Sequence, residues 1–135
     1  MSAKRRRLKV AWIDPGWQPV TIGFCPSIEV FEGTLRMHGH VPDGNPSPYH
    51  DAFVYRYRHR EGYQVVLVVM PVRKRSALRI VDTLVHEAVH VWQTVKKTMG
   101  EEEPSEEFEA YSLQHITRNL ISAYEDLVGP IFRKK

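Results

Sequence analysis

Apolar and polar residues alternate along the first half of this chain and follow a helical period along the second. Lys9 to Ile13 reads as a short strand, closed by the turn signal Asp14-Pro15-Gly16. Val20 to Phe24 is a second strand, ended by Cys25-Pro26. Ile28, Val30 and Phe31, with Thr34, Leu35 and Met37, predict a third strand interrupted at Gly33. Gly39 to Tyr49 is rich in proline and glycine and reads as an exposed loop. Ala52 to His59 puts Phe53, Tyr55 and Tyr57 on one side and Val54, Arg56 and Arg58 on the other, the pattern of a half-buried strand. Arg60-Glu61-Gly62 is a turn, so Tyr63 to Met70 returns as the second arm of a hairpin. The run Val65-Val66-Leu67-Val68-Val69 has no polar face, which predicts a central strand covered on both sides.

The period then changes. Between Ser76 and Gly100, Val81, Leu84, Val85, Ala88, Trp92 and Val95 recur at helical spacing. Ser76 is the N-cap, Lys96 and Lys97 suit the last turn, and Gly100 suits the position just past the end. A second helix runs from about Glu106 to Leu127, with Ser105 as N-cap, Glu106 and Glu107 in its first turn and Gly129-Pro130 after it. Strands followed by helices predict an α+β fold: a mixed or antiparallel N-terminal sheet, then two helices.

The first of these helices carries His86-Glu87-Ala88-Val89-His90, an HExxH motif. Residues four apart share a helix face, so both imidazoles can address one metal ion with Glu87 beside them. That is how two histidines bind zinc while the glutamate serves as general base. A solvated histidine pair is the competing reading, and the helical setting with its apolar stripe favours the metal. Catalytic zinc takes three protein ligands and keeps one position for water. Glu109 shares its helix face with Leu113, Ile116 and Leu120, so it points inward and requires a cation or a metal. Glu106 lies on nearly the same face and is the reserve candidate, while Glu107 points elsewhere.

HExxH at His86 to His90, followed by Glu109 within Glu106-Glu107-Phe108-Glu109-Ala110-Tyr111, resembles a small gluzincin-type zinc metallopeptidase. The resemblance covers Ser76 to about Ile116, and the preceding strands are compatible with a zincin-like fold. It implies zinc held by His86, His90 and Glu109, with Glu87 as general base. Metzincins carry a glycine and a third histidine where this chain has Gln93 and Lys96. Some gluzincins place an acidic residue where Leu113 stands. Asp82 precedes His86 by one turn and could orient it. In such a site zinc lowers the pKa of its water, and Glu87 takes the proton and passes it to the leaving amine. Tyr111, His115 and Tyr124 are candidates for stabilising the oxyanion, though packing or surface roles suit each better. The short chain also resembles the minimal zincins encoded by phages and bacteria, a resemblance that implies an intracellular setting.

Composition sets the remaining bounds. A chain of 135 residues, 42% hydrophobic and 26% charged, is long enough for one domain with a core that needs no disulfide. Residues 1–9 read as a basic, flexible arm on it. Cys25 is the only cysteine and reads as a buried thiol. No apolar run reaches membrane-spanning length, and no apolar stretch follows the basic start as a secretory signal requires. These features fit a cytoplasmic protein. The net charge of +3 is concentrated at Arg5 to Arg7 and at Arg133, Lys134 and Lys135, which could hold nucleic-acid phosphates but suit solvated termini better. His38 and His40 read as surface residues beside the loop, and His50 and His59 lie near turns. Trp12 and Trp17 read as core or rim aromatics. The expected activity is zinc-dependent hydrolysis of a protein or peptide. The rival expectations are a non-catalytic zincin-like module that binds a protein partner, and a basic nucleic-acid-associated protein.

Overall fold

A computed structural model describes residues 9–14, 16–42 and 51–132. The basic clusters at Arg5–Arg7 and Arg133–Lys135, His50 and most of the Gly39–Tyr49 loop lie outside the described residues. The described elements are β1 (Ala11–Ile13), β2 (Thr21–Cys25), α1 (Ile28–Met37), β3 (Phe53–Arg58), β4 (Gln64–Val69), α2 (Ala77–Met99) and α3 (Glu106–Leu127). The architecture is α+β, with a four-stranded mixed sheet in the order β1-β2-β4-β3. The β1–β2 and β3–β4 pairs are antiparallel and the central β2–β4 pair is parallel.

The unbroken apolar run of β4 explains the layers. Val65 to Val69 are all fully buried. Alternate side chains of a strand point to opposite faces, so one run feeds two cores. Val66 and Val68 join Ile22 and Phe24 from β2 in packing against Leu84, Ala88, Val91, Trp92 and Val95 of α2 and Ile116 and Leu120 of α3. Val65, Leu67 and Val69 face the other way, onto Cys25 and onto Val30, Phe31 and Leu35 of α1. Both long helices start and stop as their sequences require. Ser76 Oγ accepts the Arg79 amide at 3.2 Å and Ser105 Oγ the Phe108 amide at 3.3 Å. Gly100 closes α2 in the left-handed region, at φ 75°. Among the described residues no helix is long and apolar enough to cross a membrane.

One element departs from expectation. Ile28 to Met37 forms a helix, not a strand. Its β-branched and aromatic content suits a sheet, but its spacing does not. Val30, Phe31, Thr34 and Leu35 are buried, while Glu29, Glu32 and Arg36 face out. That is a helical stripe, and tertiary burial of the stripe outweighs a propensity difference of about 1 kcal/mol or less per residue. Ser27 caps the helix, its Oγ accepting the Val30 amide at 3.1 Å, and Gly33 is absorbed within it.

Asp51 ties the start of β3 to the start of α2. Arg79 Nε donates to Asp51 Oδ2 at 2.8 Å, and Arg75 Nη2 donates to the Asp51 carbonyl at the same distance. Arg73 Nη1 stands 3.9 Å from Asp51 Oδ1. The hydrogen bond from Arg79 is the main reason the Asp51 carboxyl sits below the usual aspartate range, with the charges of Arg79, Arg75 and Arg73 adding to it.

Two glycines should respond oppositely to alanine. A Cβ at Gly23 would stand 2.7 Å from Trp12 Cζ3 and 2.8 Å from Leu67 Cδ2. Gly23→Ala should therefore lower the unfolding free energy in urea by about 1–3 kcal/mol through overpacking. Gly33 has room for a Cβ, with Arg36 Nη2 at 3.8 Å its only close neighbour. In a helix, Gly33→Ala should raise stability by about 0.5–1 kcal/mol. A loss there would place the segment back in a strand. Asp51 supplies a pH signature. Its folded pKa is lowered, so its contribution is whole above the unfolded value of about 4 and is lost as pH falls through the folded one. Asp51→Asn should flatten the acid limb of the melting-temperature profile below about pH 4, and an unchanged limb would refute the assignment.

Candidate metal centre

The geometry of the HExxH segment follows from the helix it occupies. The buried stripe of α2 turns Leu84, Ala88, Val91 and Val95 to the sheet and leaves His86 exposed and His90 half-buried. The two rings lie side by side, with centroids 4.9 Å apart and planes at 77°. His90 Nδ1 lies 3.0 Å from Gln93 Oε1. The amide oxygen can only accept, so Nδ1 carries the proton and Nε2 keeps the lone pair that a metal would take. Glu87, one residue on and about 100° round the helix, is 5% exposed. His86 and Glu87 line an open cleft of about 440 Å³ with Asp51, Ala52, Arg79, Asp82 and Thr83. Asp82 is exposed, one turn before His86.

Glu109 is elsewhere. Its Oε2 accepts Trp92 Nε1–H at 2.8 Å and lies 3.8 Å from Lys96 Nζ. A half-buried carboxylate needs donors, and here an indole and an ammonium meet that need. Trp92 lies two residues beyond His90, about 160° round α2. The contact that holds Glu109 is thus on the other side of the helix from His90. Glu106 and Glu107 are exposed. Among the described residues, no three His, Cys, Asp or Glu side chains are grouped so as to hold a metal ion. The structure therefore brings His86 and His90 together, sets Glu87 beside them, and leaves Glu109 apart. The two imidazoles are the donors grouped here, and no third protein side chain among the described residues joins them in this arrangement.

The oxyanion candidates are also dispersed, since none of the three lines the cleft at His86. Tyr111 is exposed, Tyr124 is in the core, and His115 Nε2 lies 3.2 Å from the Asp14 carbonyl. Burial pushes the Cys25 thiol up to about 12, with a hydrogen bond to Thr34 opposing it, so this cysteine is no nucleophile at neutral pH.

His38, His40 and His59 are less exposed than their loop-side positions suggest. His38 Nδ1 pairs with Tyr57 hydroxyl at 2.6 Å and His40 Nε2 with Tyr55 hydroxyl at 2.8 Å. His59 is buried, with its ring centroid 4.5 Å from that of His38. Desolvation, followed by the neighbouring His59 and Arg60, keeps the His38 imidazole below the ordinary histidine range. The signal was available in the alternation of Tyr55, Tyr57 and His59 on one strand face. Gln93 and Arg56 were missed as well. Gln93 is legible as the residue one turn after His90, whereas Arg56, whose Nη2 donates to the His90 carbonyl at 3.4 Å, joins a strand to a helix that no local pattern links.

No family model, curated protein or solved structure matches the chain.

Proposed function

We propose that the chain is a zinc-dependent peptidase in which His86 and His90 hold the metal and Glu87 is the general base. The observation that carries this reading is the pair of adjacent imidazoles on the outward face of α2, beside an open cleft with Glu87 in its wall. A zinc ion bound there would lower the pKa of its water and polarise a substrate carbonyl. The chain's own residues have separate tasks. Gln93 holds the proton of His90 on Nδ1, which turns Nε2 outward as a donor. Glu87 accepts a proton from the attacking water and returns it to the leaving amine. The openness of the cleft suits a protein or peptide better than an enclosed small molecule. A zincin-like arrangement belongs to the same proposal, and it is supported by the placement of α2 beside β3, the last strand in the sheet order.

A second reading has its own support. Glu109 is already satisfied by Trp92 and Lys96, and Leu78, Val85 and Val89 leave an apolar stripe exposed on α2. Both features suit a non-catalytic module that uses this helix against a protein partner.

Metal analysis of the dialysed protein separates the two. The peptidase reading expects one zinc per chain, lost in His86→Ala and in His90→Ala. Glu87→Gln should keep the zinc while losing cleavage of a denatured protein substrate by about 100-fold or more. A metal-free wild type, or full activity in Glu87→Gln, would sink the reading. Glu109→Gln decides the third ligand. Loss of zinc would put Glu109 on the metal after release from Trp92 and Lys96, and full occupancy would leave it where this structure holds it.

A further inference from the structure

A second cleft opens on α2 just past the histidine pair. It has a volume of about 400 Å³ and is lined by Arg56, Gln64, Gln93, Thr94, Lys97 and Thr98. Every one of these side chains is polar, two are cations, and no carboxylate is among them. The contrast with the cleft at His86 is sharp, because that one contains Asp51, Asp82 and Glu87. Among the described residues, the ion pairs join Asp51 to Arg73, Arg75 and Arg79, and Glu109 to Lys96. Arg56 and Lys97 take part in none of them.

Arg56 is held in place. Its Nε donates to Thr94 Oγ1 and its Nη2 to the His90 carbonyl. A guanidinium has five N–H donors in a fixed plane, so these two bonds orient it and leave three donors for another group. Gln64 and Gln93 add neutral amide donors around it, while the hydroxyls of Thr94 and Thr98 donate to the His90 and Thr94 carbonyls. We propose that this cleft binds a carboxylate. A carboxylate accepts from a guanidinium edge and an ammonium together, in hydrogen bonds stronger than neutral ones. A phosphate suits it less. The cleft lies along the C-terminal half of α2, where the helix dipole opposes a doubly charged anion, and no helix N-terminus reaches it.

Gln93 links this cleft to the histidine pair, since it lines the cleft and also holds His90 Nδ1. A peptide lying across the histidine pair would reach the second cleft with an acidic side chain or a free C-terminal carboxylate. The peptide part of this inference rests on the peptidase reading, and the carboxylate chemistry does not.

A nitrogen-15 NMR titration of the metal-free protein tests it. N-acetylglutamate N′-methylamide presents a side-chain carboxylate, N-acetylglycine a terminal one, N-acetylglutamine N′-methylamide neither, and inorganic phosphate serves as the competing anion. Either carboxylate should shift the side-chain amides of Gln64 and Gln93 and the Arg56 Nε–H saturably, and the tighter of the two assigns the source. The neutral amide should not. Lys97→Met, an exposed substitution, should weaken the carboxylate by about tenfold or more, and Arg56→Gln should abolish the response. Shifts that fail to saturate, equal shifts from the neutral amide, tighter binding of phosphate, or undiminished binding in Lys97→Met would each overturn the proposal. A wild type without zinc would sink the peptidase reading and leave this titration interpretable.

Discussion

The structure depends on one strand with no side facing water. Val65 to Val69 of β4 are buried on both faces, so each residue is committed to one of two cores by its parity. A slip of one position would exchange the contents of both cores, which ties the register of β4 against β2 and β3 to the packing of all three helices. Helix α2 lies on one of those cores through Leu84, Ala88, Val91 and Val95. The rotation of α2 about its own axis is set by that contact, and the same rotation presents His86 and His90 to solvent. The chemistry of the outer face is thus a consequence of packing on the inner one.

Much of this was legible in the chain. The periods of residues 53–58, 64–69, 77–99 and 106–127 each announce their element, and Ser76, Gly100 and Ser105 mark ends that the structure keeps. The failure at Ile28–Met37 has a physical source. Short segments rich in β-branched and aromatic residues favour a strand by composition, while the four-residue spacing of Val30 and Thr34, and of Phe31 and Leu35, favours a helix. Spacing decides because it determines what can be buried together. The site divides in the same way. His86, Glu87 and His90 are neighbours on one helix, so sequence alone places them. Glu109 depends on how α3 sits against α2, and Trp92 with Lys96 settles that without reference to the histidines.

The carboxylates around α2 differ by what surrounds them. Asp51 gathers arginines from the segment entering α2 and from its first turns. Glu109 takes an indole and a lysine from the middle of the same helix. Glu87 is drawn toward the core while its neighbour His86 stays outside. The cations Arg56 and Lys97 are set toward the end of α2, on its outward side. Asp51, Asp82 and Glu87 therefore line the cleft at His86, while Arg56 and Lys97, which take part in no ion pair among the described residues, line the one past His90.

The parallel pairing at the centre of the sheet bears on how the chain folds. Thr21 is matched with Val65 and Cys25 with Val69, so β2 must wait for α1, the following loop and β3 before its partner arrives. Such distant pairings close slowly, because the loop entropy is lost before the contacts form. Helices α2 and α3 are adjacent in the chain and joined by a short connection, so their hairpin has only local entropy to lose. Loop entropy therefore favours forming the helix that carries His86 and His90 ahead of the sheet that fixes which way the pair faces.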